Sequence, residues 1–143
     1  MKKHLLALAV LMLLSTYAWA QSLSPVGIWT NEDGKARFEI YKCGDKLCGK
    51  IVTLKEPLRN GKPKVDEKNP DKSLRNRPLA GLEFMNGFAY DSHNKWDDGT
   101  IYDPESGKTY SCYMKMIGKD KMEVKGYIGI SLIGRTQTWT RIK

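Results

Sequence analysis

Few residues in this chain have the type and spacing that covalent, proton-transfer or metal chemistry needs. There are three cysteines and two histidines. Cys43 and Cys48 flank Gly44-Asp45-Lys46-Leu47. Their C-x4-C spacing is wider than that of a dithiol redox motif. Zinc requires four ligands, and no histidine or second cysteine pair lies close by in sequence. Strand-like sequence lies on both sides of the pair, and facing positions at a hairpin neck bring Cα atoms into disulfide range. A Cys43–Cys48 bridge is therefore expected, with two buried thiols as the alternative. His4 falls in the N-terminal leader and His93 in Asp91-Ser92-His93-Asn94-Lys95. A general base needs a positioned partner, and no Ser or Cys nucleophile motif accompanies His93, so it reads as a surface loop residue. Asp91, Asn94, Asp97, Asp98 and Gly99 offer oxygen ligands without EF-hand spacing or its closing Glu, and read as turn formers. No Gly-rich loop leads from a strand into a helix, which leaves nucleotide binding unsupported. No cofactor and no metal are expected. Carboxylates from distant positions can still converge, so a hydrolase with a composite carboxylate site stands as one alternative.

The elements that would position these groups are strands. Period-two alternation and turn chemistry mark Ile28–Thr30, Ala36–Tyr41, Leu47–Leu54, Leu82–Met85, Phe88–Tyr90 beyond an Asn86-Gly87 turn, Thr100–Asp103, Thr109–Met116, Met122–Ile128 and Arg135–Ile142. Gly126, Gly129 and Gly134 read as bulges or bends. Cys112 alternates with Tyr110, Met114 and Met116 and reads as a buried thiol on one strand face. No helical stretch of normal length appears beyond the leader. The expected fold is all-β: a small antiparallel barrel, closed or nearly closed, of about eight strands. Closure is suggested by Gly27-Ile28-Trp29 at one end and Trp139-Thr140-Arg141 at the other. Only a closed sheet has no edges to hide. Gly27 would admit a tight turn, Trp29 would plug the barrel, and the Arg141 guanidinium would stack on its indole. This pairing is similar to the signature of lipocalin-like barrels. Candidate inward residues are Trp29, Phe38, Ile40, Phe84, Tyr102, Tyr110, Met114 and Trp139. Such residues suit an adaptable apolar pocket or a solid core, and a slip of one residue would invert the set.

One connection is long. Residues 55–78 carry eight basic and four acidic side chains, a balance of +4. Asn69-Pro70-Asp71 reads as a helix cap followed by a single turn, with Leu74 and Leu79 tucking the segment onto the barrel. Its cations, Lys72, Arg75 and Arg77 among them, would form a lid or docking loop for an anionic partner, or only a solvated loop.

Residues 1–20 have the form of a signal peptide: Lys2-Lys3, an apolar run from His4 to Tyr17, and Ala18-Trp19-Ala20 before the cleavage point. Residue 21 is Gln, which provides no lipoprotein cysteine. Cleavage leaves a single domain, 21–143, without a transmembrane anchor and with 22 basic against 16 acidic residues, a net charge of +6. A periplasmic location is expected. A basic exported domain is drawn to anionic envelope lipid, whereas nucleic acid is not an expected partner.

Several runs carry a wider resemblance. They are Gly27-x-Trp29, the Cys43/Cys48-Gly49 hairpin, Asn69-Pro70, Pro78-Leu79-x-Gly81-Leu82, Trp96 through Tyr110, and Gly126 through Arg141. Together they resemble the exported bacterial family catalogued as domain of unknown function 2147. The resemblance implies a small secreted lipocalin-like barrel and supplies no catalytic residues. The reading that follows is an envelope protein holding a small apolar or lipid-like ligand. The alternatives are a module docking on anionic lipid or a protein through residues 55–78, and the hydrolase above.

Overall fold

The computed structural model describes residues 23–131 and 133–143; the signal-peptide expectation for residues 1–20 lies outside them. Alternating side chains dictate the architecture. In Ala36–Cys43 the buried residues are Ala36, Phe38 and Ile40; in Lys108–Met116 they are Cys112, Met114 and Met116. Each such strand has one apolar face to hide, and a sheet curled onto itself hides all of them at once. The strands are β1 (Gly27–Thr30), β2 (Ala36–Cys43), β3 (Lys46–Leu54), β4 (Leu58–Arg59), β5 (Lys62–Pro63), β6 (Glu83–Tyr90), β7 (Lys95–Asp103), β8 (Lys108–Met116), β9 (Lys121–Tyr127) and β10 (Gly134–Arg141). Eight of them close into an antiparallel barrel in the order β1-β10-β9-β8-β7-β6-β3-β2, while β4 and β5 form a small separate hairpin. No helix among the described residues is long and apolar enough to cross a membrane.

The closing seam pairs Trp29 with Arg141 and Thr30 with Thr140. The Arg141 guanidinium lies 4.3 Å from the Trp29 ring centre. It donates to the carbonyls of Ser24 (2.6 Å), Val26 (2.7 Å) and Lys119 (3.0 Å). One side chain thus ties the N-terminal segment and the β8–β9 turn to the seam. Gly27 is required beside it: its φ is +145°, and a Cβ there would lie 2.5 Å from Arg141 Nη1 and 2.6 Å from the Lys143 carbonyl. Trp29 Nε1 donates to the Pro25 carbonyl at 2.8 Å, which satisfies the buried indole.

Two sequence expectations need correcting in the β6–β7 region. Leu82–Met85 and Phe88–Tyr90 are not separate strands. Asn86↔Thr100 and Ala89↔Asp97 keep one register, so Asn86-Gly87 kinks a continuous β6 instead of reversing it. β7 starts at Lys95 rather than Thr100 because the turn-like Asp97-Asp98-Gly99 is a bulge, with Asp98 at φ +61°. The long connection also differs from expectation. Its single 3-10 turn, Lys72–Leu74, is capped by Asp71, not Asn69, through the Ser73 N–H. Leu74 is exposed; only Leu79 packs against the core.

The strand directions separate the two barrel ends. The turns 31–35, 104–107 and 128–133 and the long connection 55–82 lie at one end; residues 23–26 and the turns 44–45, 91–94 and 117–120 lie at the other. The half nearer the second end is solid. Trp29, Ile40, Met85, Phe88, Met114 and Met122 are completely buried there. Gly99 faces this layer, and the Phe88 ring occupies the place its Cβ would take.

Candidate functional site

The other half is open. A cup of about 920 Å³ lies inside the mouth of the barrel, within the size range of small-molecule sites. Its floor is aromatic. The Phe38 and Trp139 rings stack with centroids 4.4 Å apart, and Phe84 lies 5.1 Å from Phe38. Ile51, Ile101, Tyr110 and Val124 line its sides. The rim is charged and mixed in sign: Lys55, Lys64, Lys68 and Arg135 stand with Glu56, Asp103 and Glu105, and Arg59 is paired with Glu67. An apolar interior under a polar rim accommodates a molecule with an apolar body and a polar end.

The long connection is held in place as a wall of this cup. Asp66 is completely buried. Its carboxylate accepts hydrogen bonds from the Tyr102 hydroxyl (2.6 Å), Asn69 Nδ2 (2.8 Å) and Arg77 Nε (2.9 Å). Burial pushes this carboxyl up, but the donors from Tyr102, Asn69 and Arg77 outweigh it and hold the group below its ordinary 3.8. Burial and the bond to Asp66 push the Tyr102 hydroxyl up to about 12. Arg75 Nε donates to the Asn69 carbonyl at 2.7 Å, fastening the same knot. Backbone bonds from Asp66 to Arg77 and from Leu79 to Lys64 close the loop on itself.

The structure sorts the candidate residues by height in the barrel. Phe38, Phe84, Tyr102, Tyr110 and Trp139 line the cup. Trp29, Ile40 and Met114 do not; they belong to the solid layer beneath it. Of the three cations considered for an anionic partner, Arg77 is engaged with Asp66 and Arg75 with a backbone carbonyl. Lys72 sits in the 3-10 turn. Sequence reasoning missed Arg135 and Gln137, which line the cup above Trp139. The period of β10 could have found them, since residues 135, 137 and 139 share one strand face.

The remaining reactive groups have structural duties. Cys43 and Cys48 are disulfide-bonded, with Cα atoms 5.8 Å apart. These sulfurs and Glu83 form the cluster of metal-ligand atom types found among the described residues, and the disulfide leaves it without thiolates. Cys112 is a buried free thiol, pushed up first by burial and then by the Asp97 charge. His93 is exposed in a turn at the far end, with φ +53°. Asp97 pairs with Lys95 at 3.4 Å, and Asp103 accepts from Glu105 N–H and Ser106 Oγ. A smaller hollow of about 500 Å³ at that end lies among Leu47, Phe88, Tyr90 and Trp96.

Fold and cup together define a lipocalin-like barrel. HP1028 from Helicobacter pylori, described as belonging to the lipocalin family, matches with a TM-score of 0.76 over 85% of this chain and 84% of that one, at 21% identity. Likeness at that identity shows the shared fold. The sequence places the chain more closely: residues 27–141 match the family of uncharacterized proteins conserved in bacteria, DUF2147, and the chain belongs to that family. No curated protein matches the chain in sequence.

Proposed function

We propose that this protein is an exported, non-enzymatic binding barrel that holds a small apolar or lipid-like molecule of the cell envelope in the cup. The carrying observation is the cup itself: about 920 Å³ of open volume over a stacked aromatic floor. Burying an acyl chain or ring system there would contribute roughly 25 cal/mol for each Å² of apolar surface removed from water. Arg135 and Gln137 provide polar groups above the floor for the ligand's polar end. Export through residues 1–20, with 21–143 as the mature domain in the periplasm, is supported by the leader's form and by the disulfide. The binding reading is favoured over a hydrolase because the floor and sides of the cup are apolar and aromatic, while the acids stand at its rim, where Glu67 is paired with Arg59 and Asp103 is held by the β7–β8 turn.

The test is titration with a fluorescent fatty-acid probe. The expected result is saturable binding with a blue-shifted spectrum, weakened about tenfold or more when Trp139→Ala removes the stacked floor. No blue shift at saturating protein would end the proposal. Mass spectrometry of small molecules that co-purify with the protein would identify the natural occupant.

A further inference from the structure

The mouth of the barrel carries a second feature, independent of what the cup holds. Four of the five most exposed large hydrophobic residues among those described lie on two loops there: Ile128 (74%), Ile130 (59%), Ile133 (69%) and Leu58 (54%). The isoleucines occupy the β9–β10 loop, and Leu58 lies on the β4–β5 hairpin beside Arg59. Ile128, Ile133 and Arg59 all border the cup, so both loops belong to one end of the molecule. Isolated exposed aliphatics are ordinary, but a group of them on loop tips at a single end is a contact surface.

The neighbouring charge selects the partner. Lys55, Lys64, Lys68 and Arg135 border the same rim and have no salt bridge among the described residues; they stand with the acids Glu56, Asp103 and Glu105, four cations against three, so the rim keeps a positive excess. The connection that supplies the three lysines has a balance of +4. Aliphatic tips beside a connection of net positive charge fit the interface of an anionic bilayer, with the aliphatics among acyl chains and the lysines at headgroup depth. We infer that the barrel docks mouth-first on anionic membrane, with Ile128, Ile130 and Ile133 as the inserting tip. Docked this way, the cup opens onto the bilayer instead of water. This membrane surface is distinct from the Arg75–Arg77 stretch, which is occupied in holding the connection together.

The test is cosedimentation of the protein, expressed from its full sequence and purified as the cell processes it. Its partners are phosphatidylglycerol–phosphatidylcholine vesicles and pure phosphatidylcholine vesicles, with no other ligand present. Binding is expected to the anionic vesicles, to weaken with added salt, and to be much weaker on the neutral ones. Ile128→Ser, Ile130→Ser and Ile133→Ser together should reduce it at least tenfold. Lys55→Gln and Lys64→Gln should each cost about fivefold. All five side chains lie on loops outside the packed layer, and an unchanged circular-dichroism spectrum would verify that folding is retained. Wild-type protein that ignores anionic vesicles, or a triple variant that binds them undiminished, would overturn the inference. So would a wild-type dimer that the triple variant splits without any vesicle binding, because a second copy would then be the partner. Probe binding to the cup without vesicle binding would reject the docking surface and leave the binding barrel standing.

Discussion

Two charged side chains decide the outcome at residue scale, each by satisfying acceptors or donors that the backbone leaves open. Arg141 serves three carbonyls and one indole face at the seam. Arg141→Ala is expected to lower unfolding free energy by about 3 kcal/mol, and Arg141→Lys by about 2 kcal/mol, since an ammonium cannot reproduce the planar fork. Urea denaturation midpoints would measure both. Asp66 does the corresponding work for the long connection, and its linkage gives a pH window. Its folded carboxyl lies below the ordinary 3.8, so its contribution is present above that pH and is lost as pH falls through the depressed value. Tyr102 is raised from 10.0 to about 12, so its contribution is complete below pH 10 and is lost as pH rises toward 12. Tryptic cleavage after Lys64 and Lys68 should accordingly be much faster in Asp66→Asn than in wild type at neutral pH. Equal cleavage rates would show that the knot does not hold the loop. The pairing of Trp29 with Arg141 was legible because both belong to short terminal motifs. The role of Asp66 was not: Tyr102 is thirty-six positions away, and nothing local marks one acid of that loop as buried.

At the scale of elements, strand faces were readable wherever alternation was strict. β2 and β8 show their period directly in the burial of Phe38 and Ile40, and of Cys112, Met114 and Met116. The reading failed where turn-forming residues stand inside a strand. Asn86-Gly87 and Asp97-Asp98-Gly99 have the chemistry of hairpins, yet neighbouring strands hold both segments in register and turn them into a kink and a bulge. The β2–β3 hairpin is a case in which local chemistry and tertiary structure agree. Its disulfide closes a loop of only a few residues, so Cys43→Ser with Cys48→Ser should cost about 2 kcal/mol of unfolding free energy. A thermal denaturation comparison would measure that cost. Cys112, by contrast, should resist thiol reagents in the native protein and react once denaturant opens the barrel, because a buried thiol supplies little thiolate.

For the molecule as a whole, the decisive property is how an eight-stranded interior divides along its axis. Its lower half is filled by Trp29, Phe88 and methionines, and its upper half is left open above Phe38, Phe84 and Trp139. The amino-acid sequence alone determined the strand faces where alternation is strict, the closure motif, the disulfide pair and the basic long connection, because each of these depends on residues near one another or on a repeating period. Only the tertiary structure decided that Trp29 and Met114 are packing while Trp139 and Arg135 line a cup. It also assigned Arg77 to a buried acid and left the β9–β10 isoleucines uncovered. The physical reason is that period two specifies whether a side chain points inward but not how high in the barrel it sits. Open volume is what remains after side chains from all eight strands have packed, and no single strand contains that sum.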